Sequence, residues 1–282
     1  MVRSLFQLLQ FQDHEVCKFA IVALVHVTYK SDNIIAQRKL VHDSGILPLV
    51  FKLLDDDDDE LVEDALTVLL NIAAGDDALM QSVIDLGTLR VLPEIMENKA
   101  NYPWVIKNCC WLIKNLMAGT KDHIQEIISN GLLPKIVKIM QTGDSGCQKQ
   151  CCWALHNLLH KGTKTQILAL VDQKPMPALS AVLTHTDLNE CIDNALDVIN
   201  ELLSTVNGKK LTTLKHEMKT TGVHGHLKKL RENTNEEVRN LANKILSEYF
   251  AENDEEETNE KLRGKEDDKA KKMVQKRKRA CQ

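Results

Sequence analysis

One sequence segment returns at nearly constant spacing along the chain, and this spacing restricts the fold more than any other feature. The segment is led by Gly45, Gly87, Gly131 and Lys174, so the successive steps are 42, 44 and 43 residues. A glycine commonly ends one helix, and a proline in the first turn of the next helix loses no hydrogen bond. Each copy therefore predicts a helix start. The four copies read SGILPLVFKLL, LGTLRVLPEIM, NGLLPKIVKIM and QKPMPALSAVL.

A second segment recurs between these copies with the same period. Its aligned position holds His26, Asn71, Asn115, Asn157 and Asn200, at steps of 45, 44, 42 and 43 residues. A period of roughly 40–47 residues that contains two or three helices is typical of armadillo or HEAT repeats. No run alternates as a strand would. The sequence therefore predicts an all-α fold, a right-handed α-α superhelix of armadillo repeats, in which a longer third helix carries the asparagine.

The repeats do not cover the whole chain. Residues 1–250 are expected to form about five repeats and a closing helical pair, and the first repeat is incomplete. Residues 251–282 are charged, with acidic AENDEEETNE followed by basic KAKKMVQKRKR, and predict a disordered tail.

Composition excludes several classes of protein. The 282 residues carry a net charge of 36 − 40 = −4, which argues against non-specific binding of nucleic acid. No apolar run is long enough to span a membrane, and the first residues lack the pattern of a signal peptide, so we expect an intracellular protein. Among the eight cysteines are two adjacent pairs, 109–110 and 151–152, which point in different directions on a helix. We expect free, buried thiols.

Two W-x-x-x-N motifs carry the functional signal. Trp111 and Asn115 lie four residues apart, as do Trp153 and Asn157, so each pair shares one helix face. An asparagine amide can pair with the N–H and C=O of an extended peptide, while a lysine or arginine stem can pack on an indole and gain about 0.5–2 kcal/mol of cation–π attraction. The motifs predict a groove for a basic peptide. Core tryptophans beside surface asparagines are the alternative interpretation.

The same stretches resemble a known family. WALHNLLHKG, WLIKNLMAGT and NIAAGDDALMQSVID are similar to third helices of importin α, and NEEVRNLANKILSEYFAENDEEE resembles its last repeat and acidic end. The resemblance implies the C-terminal half of that array, which holds the smaller of two signal-binding sites. It implies no catalytic residue, metal or cofactor. The peptide-binding residues that it implies are Trp111, Asn115, Trp153 and Asn157, with Asn71 and Asp77 in the preceding repeat.

The resemblance also implies partners and location. We expect binding of basic nuclear localisation signal peptides of cargo proteins, with the family's export receptor at the C-terminal repeat, in the cytoplasm and nucleus. Direct binding of importin β is not expected, because the family's basic N-terminal segment is absent from this sequence. Neither nucleic acid nor a membrane is an expected partner. The alternative is a truncated or divergent armadillo scaffold that binds a non-basic protein.

Several positions depart from the family pattern. Asn108 and Gln150 stand where the family usually carries glutamate, and Lys114 and His156 replace small residues beside the asparagines. We expect weaker attraction to a basic peptide, and we expect glutamate at positions 108 and 150 to restore it. Val22 and Thr67 occupy tryptophan positions in two other repeats, so the usable site is expected to be two repeats long.

Other clusters are weaker. Cys152, His156 and His160 follow one another at four-residue steps, as three zinc ligands on one helix would. However, the repeat itself needs a small apolar residue at position 152, and histidine is favourable at a helix end, so we do not expect a metal site. Residues 55–60 lack the pattern of a calcium loop and are expected to be a solvated turn. No catalytic fingerprint appears, and we expect no enzyme.

Overall fold

A computed structural model describes residues 2–11, 13–29, 33–184 and 190–251, and the predicted tail lies outside these ranges. Within them the regular structure is helical and no strand occurs. None of the helices described is long and apolar enough to cross a membrane. The helices are α1 (Val2–Leu8), α2 (His14–Tyr29), α3 (Ile34–Asp43), α4 (Leu47–Lys52), α5 (Asp59–Ala73), α6 (Asp77–Asp85), α7 (Thr88–Asn98), α8 (Pro103–Met117), α9 (Lys121–Ser129), α10 (Leu132–Thr142), α11 (Ser145–Lys161), α12 (Lys164–Asp172), α13 (Met176–Thr184), α14 (Ile192–Thr205), α15 (Gly208–Thr220), α16 (Val223–Leu230) and α17 (236–251).

The chain forms two compact units, which divide between Val223 and His224. In the first unit the helices stack in parallel series, with each member packed on the next. The long third helices α2, α5, α8, α11 and α14 form one series, the short first helices α3, α6, α9 and α12 form another, and the second helices α7, α10 and α13 form the last. The three repeats that end in α8, α11 and α14 thus each contribute one helix to each series, as the two recurring segments predict.

The backbone at the start of each second helix explains the first recurring segment. Gly45, Gly87, Gly131 and Lys174 all have positive φ, at 73°, 87°, 70° and 52°. Glycine adopts this left-handed conformation without steric cost, whereas an L side chain does not. The sequence alignment is therefore correct even at Lys174, where the glycine is missing but the conformation is kept.

Side-chain caps fix the start of most third and first helices. Asp58 and Asp144 accept hydrogen bonds from amides in the first turns of α5 and α11, and Thr120 and Thr163 form capping boxes at α9 and α12. Such caps satisfy amides that have no partner within the helix.

The cysteine side chains that the structure describes are buried, whereas the acidic residues 55–60 lie nearer the surface. Seven cysteines are free and buried, as expected: Cys17, Cys109, Cys110, Cys147, Cys151, Cys152 and Cys191. The solvated turn expected at residues 55–60 is present, with Asp55, Asp57 and Glu60 exposed, but its other carboxylates also form ion pairs. Asp58 pairs with Lys18 at 2.5 Å and Asp59 with Lys99 at 2.6 Å, so two of its carboxylates bind lysines of other helices.

The second unit, from His224 onward, contains most of α16 and the helix α17. Phe250 is buried, and its ring centre lies 4.7 Å from that of His224. Arg239 donates to the carbonyl oxygens of Asn233 and Thr234, which holds the turn before α17.

Candidate peptide-binding face

The asparagines of consecutive third helices make the same contact. Nδ2 of Asn115 donates to the Leu70 carbonyl of α5 at 2.9 Å, and Nδ2 of Asn157 donates to the Lys114 carbonyl of α8 at 3.0 Å. Both asparagines are half-buried. An asparagine amide has two N–H groups and one carbonyl oxygen, so one bond to the preceding helix orients the group without using its full capacity.

Asn71 is more deeply buried than the other two asparagines. Its side chain is only 4% exposed, and Nδ2 donates to Oγ1 of Thr28 at 3.1 Å. This bond joins α5 to α2 in the way that the bonds of Asn115 and Asn157 join later helices. Because Asn71 is buried and bonded to α2, it contributes to the stacking of the repeats.

The two tryptophans occupy equivalent places on α8 and α11. Trp111 is half-buried and Trp153 is 37% exposed. The ammonium of Lys114 lies 4.7 Å from the ring centre of Trp111, and the His156 ring meets Trp153 edge-on with 5.6 Å between centres. In both helices the residue three positions later, one turn on, covers the indole. We name the surface formed by Trp111, Asn115, Trp153 and Asn157 the ladder face.

The ladder face is bordered by cations. Burial, with a smaller contribution from Lys149, lowers the pKa of Lys114 to about 8. Lys149 forms an ion pair with Glu190, and the ammonium of Lys107 lies 4.8 Å over the ring of Trp104. Both tryptophan-bearing helices thus carry lysine side chains. Lys114 departs visibly from the family pattern, whereas Lys107 and Lys149 could have been found only by their shared spacing, each four residues before the tryptophan of its helix.

Two carboxylates whose charge is only partly compensated, by Lys107 and His26, lie on the neighbouring helix α5. Burial raises the pKa of Glu63, with further contributions from Asp64 and Glu60, and burial together with Glu60 raises that of Asp64. A raised carboxyl pKa means that the surroundings disfavour the negative charge. The face therefore changes from acidic at α5 to basic at α8 and α11.

The expectation that glutamate at positions 108 and 150 would face a peptide is wrong. Asn108 is 9% exposed and donates to Oγ1 of Thr67 at 2.9 Å, and Gln150 is 7% exposed. A carboxylate at position 108 could not donate to Thr67 and would be largely desolvated. Thr67 and Asn108 form a matched contact between α5 and α8, which sequence spacing alone does not reveal.

Asp77 and Val22, on α6 and α2, are both exposed. Asp77 is exposed in the first turn of α6, directly after Asp76, which caps that helix and pairs with Lys39 at 2.9 Å. Val22, at the tryptophan position of α2, is 41% exposed.

The predicted trio of Cys152, His156 and His160 is not the set that the structure brings together. Cys152 is fully buried, and its thiol donates to the Cys191 carbonyl at 3.7 Å. The atoms that converge belong instead to His156, His160 and Asp197 of α14.

Comparisons with known proteins agree with this architecture. The family model described as "Armadillo/beta-catenin-like repeat" matches residues 120–160. Among solved structures, computationally designed armadillo repeat proteins for modular peptide recognition give a TM-score of 0.77 at 27% identity, covering 88% of this chain and 99% of that one. A designed armadillo repeat protein in complex with the peptide (KR)4 gives a TM-score of 0.74 at 25% identity, with the same coverages of 88% and 99%.

Curated relatives are importin α subunits. Importin subunit alpha-3 of Arabidopsis thaliana is 30% identical over 263 residues, which is 90% of this chain and 48% of that protein. Importin subunit alpha-2 of Caenorhabditis elegans is 38% identical over 111 residues, which is 39% of this chain and 20% of that protein. The chain spans about half or less of the length of these relatives. The predicted all-α armadillo fold is confirmed, and the chain is an armadillo-repeat protein homologous to importin α subunits over part of their length.

Proposed function

We propose that the chain is an importin α-like adaptor whose ladder face binds an extended basic peptide of the nuclear localisation type. The observation that carries the proposal is the repeated arrangement on α8 and α11. Each helix presents an indole at its surface and, one turn later, an asparagine amide held by the preceding helix. Two such pairs offer backbone contacts and apolar surfaces at a repeated spacing, which suits an extended peptide.

The position of Lys114 supports the proposal that a cationic side chain of the peptide binds on the indole surface. Its ammonium already lies 4.7 Å from the Trp111 ring centre, at the distance of a cation–π contact. An incoming lysine or arginine would have to displace Lys114 and would meet its charge. Lys114 is therefore an internal competitor that weakens the site without removing it.

Substitution of Lys114 tests this proposal. We expect Lys114→Ala to tighten binding of a lysine- and arginine-rich peptide about two- to fivefold at low salt, the range of one partly exposed charge interaction. Lys164→Ala is the matched control, because Lys164 is an exposed lysine on α12 and changes net charge equally. Fluorescence anisotropy with a labelled peptide measures both. A gain of equal size in the two variants would assign the effect to net charge, and weaker binding by Lys114→Ala would contradict competition.

A scaffold for a non-basic partner is the second candidate. Lys107 and Lys114 favour it, since they bring two cations to α8, whereas Glu190 already pairs with Lys149 of α11. An acidic peptide would then bind more tightly than a basic one, and Lys114→Ala would weaken it. Parallel titrations with the two peptides at two salt concentrations separate the candidates.

The biological setting belongs to the same proposal. The adaptor would act in nuclear import, move between cytoplasm and nucleus without a catalytic step, and return through an export receptor. Asn71 would serve by holding α5 on α2, and Asp77 by adding negative charge at the edge of the face. Support comes from the homology to importin α subunits, which extends over 90% of this chain in one case.

A further inference from the structure

Two histidines and one aspartate converge beside the ladder face. Nε2 of His160 lies 2.9 Å from Nε2 of His156, and Nε2 of His156 lies 3.5 Å from Oδ2 of Asp197. One potential ligand atom from each residue lies within 4.8 Å of the other two. His156 and His160 are one turn apart on α11, whereas Asp197 comes from α14 of the next repeat.

The arrangement has the chemistry of a small transition-metal site. Imidazole nitrogen and carboxylate oxygen are zinc ligands, and two histidines four residues apart on one helix face are a common way to present them. Zn–N bonds of about 2.0–2.1 Å in tetrahedral geometry separate two ligand nitrogens by about 3.3 Å. The two histidine nitrogens would therefore move apart by only about 0.4 Å, which a small rotation of the exposed His160 side chain supplies.

We propose that His156, His160 and Asp197 bind a divalent ion of the zinc class, with water in the remaining position. The ion joins α11 to α14, so it ties two successive repeats together. It also lies next to Trp153, because the His156 ring contacts that indole. Metal binding thus places positive charge at one end of the ladder face. It also makes the stacking of these two repeats depend on whether the metal is bound.

Cobalt(II) binding to the full chain tests the site. Buried cysteines compete as ligands in principle, and cobalt distinguishes them, since thiolate ligands give intense near-ultraviolet charge-transfer bands that nitrogen and oxygen ligands do not. We expect visible d–d bands without thiolate bands, and displacement of cobalt by zinc. Bands from thiolate ligation would place the metal at cysteines and overturn the proposal.

Two variants on different helices locate the site. His160→Gln and Asp197→Asn each remove one ligand from a solvent-accessible position, and each should lower cobalt affinity at least about tenfold, since even outer-shell changes cost that much. His216→Gln is the matched control, because His216 is an exposed histidine on α15. Circular dichroism checks that each variant is folded. Unchanged cobalt affinity in either ligand variant would show that these three residues do not bind the metal together, which would overturn the proposal.

Discussion

At the scale of single residues, the proposed binding of a cationic side chain at the ladder face depends most on Lys114. The lysine stands one turn after Trp111, and its half-buried ammonium lies over the indole with a pKa lowered to about 8. Burial disfavours the charged form, while the ring attracts it. The competition between this internal cation and a peptide cation therefore depends on pH.

Affinity for an arginine-rich peptide is expected to rise between pH 7 and pH 9. Lys114 is mostly charged below its pKa of about 8 and mostly neutral above it, whereas arginine stays charged throughout. Burial and the neighbouring His160 lower the pKa of His156, so this ring loses its charge at lower pH, outside this range. Calorimetry of the parent and Lys114→Ala proteins at both pH values measures the effect.

The two proteins should differ in their response to pH. We expect a rise of about two- to fivefold in the parent and no rise in Lys114→Ala, in keeping with the removal of one charge interaction. A parallel rise in both proteins would mean that another group titrates, and Lys114 would then not be the competitor.

At the scale of helices, the repeat period predicted most of the fold. The left-handed residues at 45, 87, 131 and 174 lie where the recurring segment begins, and each precedes a second helix. Periodicity succeeds here because each repeat must present the same apolar surface to its neighbours.

Contacts between repeats could not be predicted from the sequence. The burial of Asn71 and Asn108 and the pairing of Asp59 with Lys99 depend on how one repeat rests on the next, about forty residues away. The convergence of Asp197 on His156 is of the same kind. Residue type and spacing predicted that Trp111 and Asn115 on α8 match Trp153 and Asn157 on α11, but they left open which polar groups face each other across α5, α8, α11 and α14.

Lys174 offers a test of the helix-start interpretation. It holds φ at 52° and is exposed, so glycine would relieve the left-handed strain and lose few contacts. After allowance for the greater freedom of glycine in the unfolded chain, we expect Lys174→Gly to raise the free energy of unfolding by about 0.5–1 kcal/mol. Urea denaturation measures this difference.

A neighbouring position supplies the control for Lys174→Gly. Gln173 has φ of −82°, so Gln173→Gly gains no relief and should destabilise the protein by up to about 1 kcal/mol. Equal destabilisation by both substitutions would contradict a strained backbone at Lys174.

At the scale of the whole molecule, the chain combines a series of stacked third helices with a surface that two of them present. The asparagines of α5, α8 and α11 hold each helix to the preceding one, and the tryptophans of α8 and α11 stand on the same surface. The same repetition that stabilises the array thus sets the spacing at which a peptide would be held.

Calorimetric titration of a basic peptide into Trp153→Ala tests whether the ladder face is a peptide-binding site. Trp104→Ala is the control, because Trp104 is also an exposed indole but lies two turns before Trp111 on α8. We expect a loss of about 1–3 kcal/mol in binding free energy for Trp153→Ala, the range of an interface anchor, and little change for Trp104→Ala. Binding by Trp153→Ala as tight as that of the parent protein would contradict a peptide site on the ladder face.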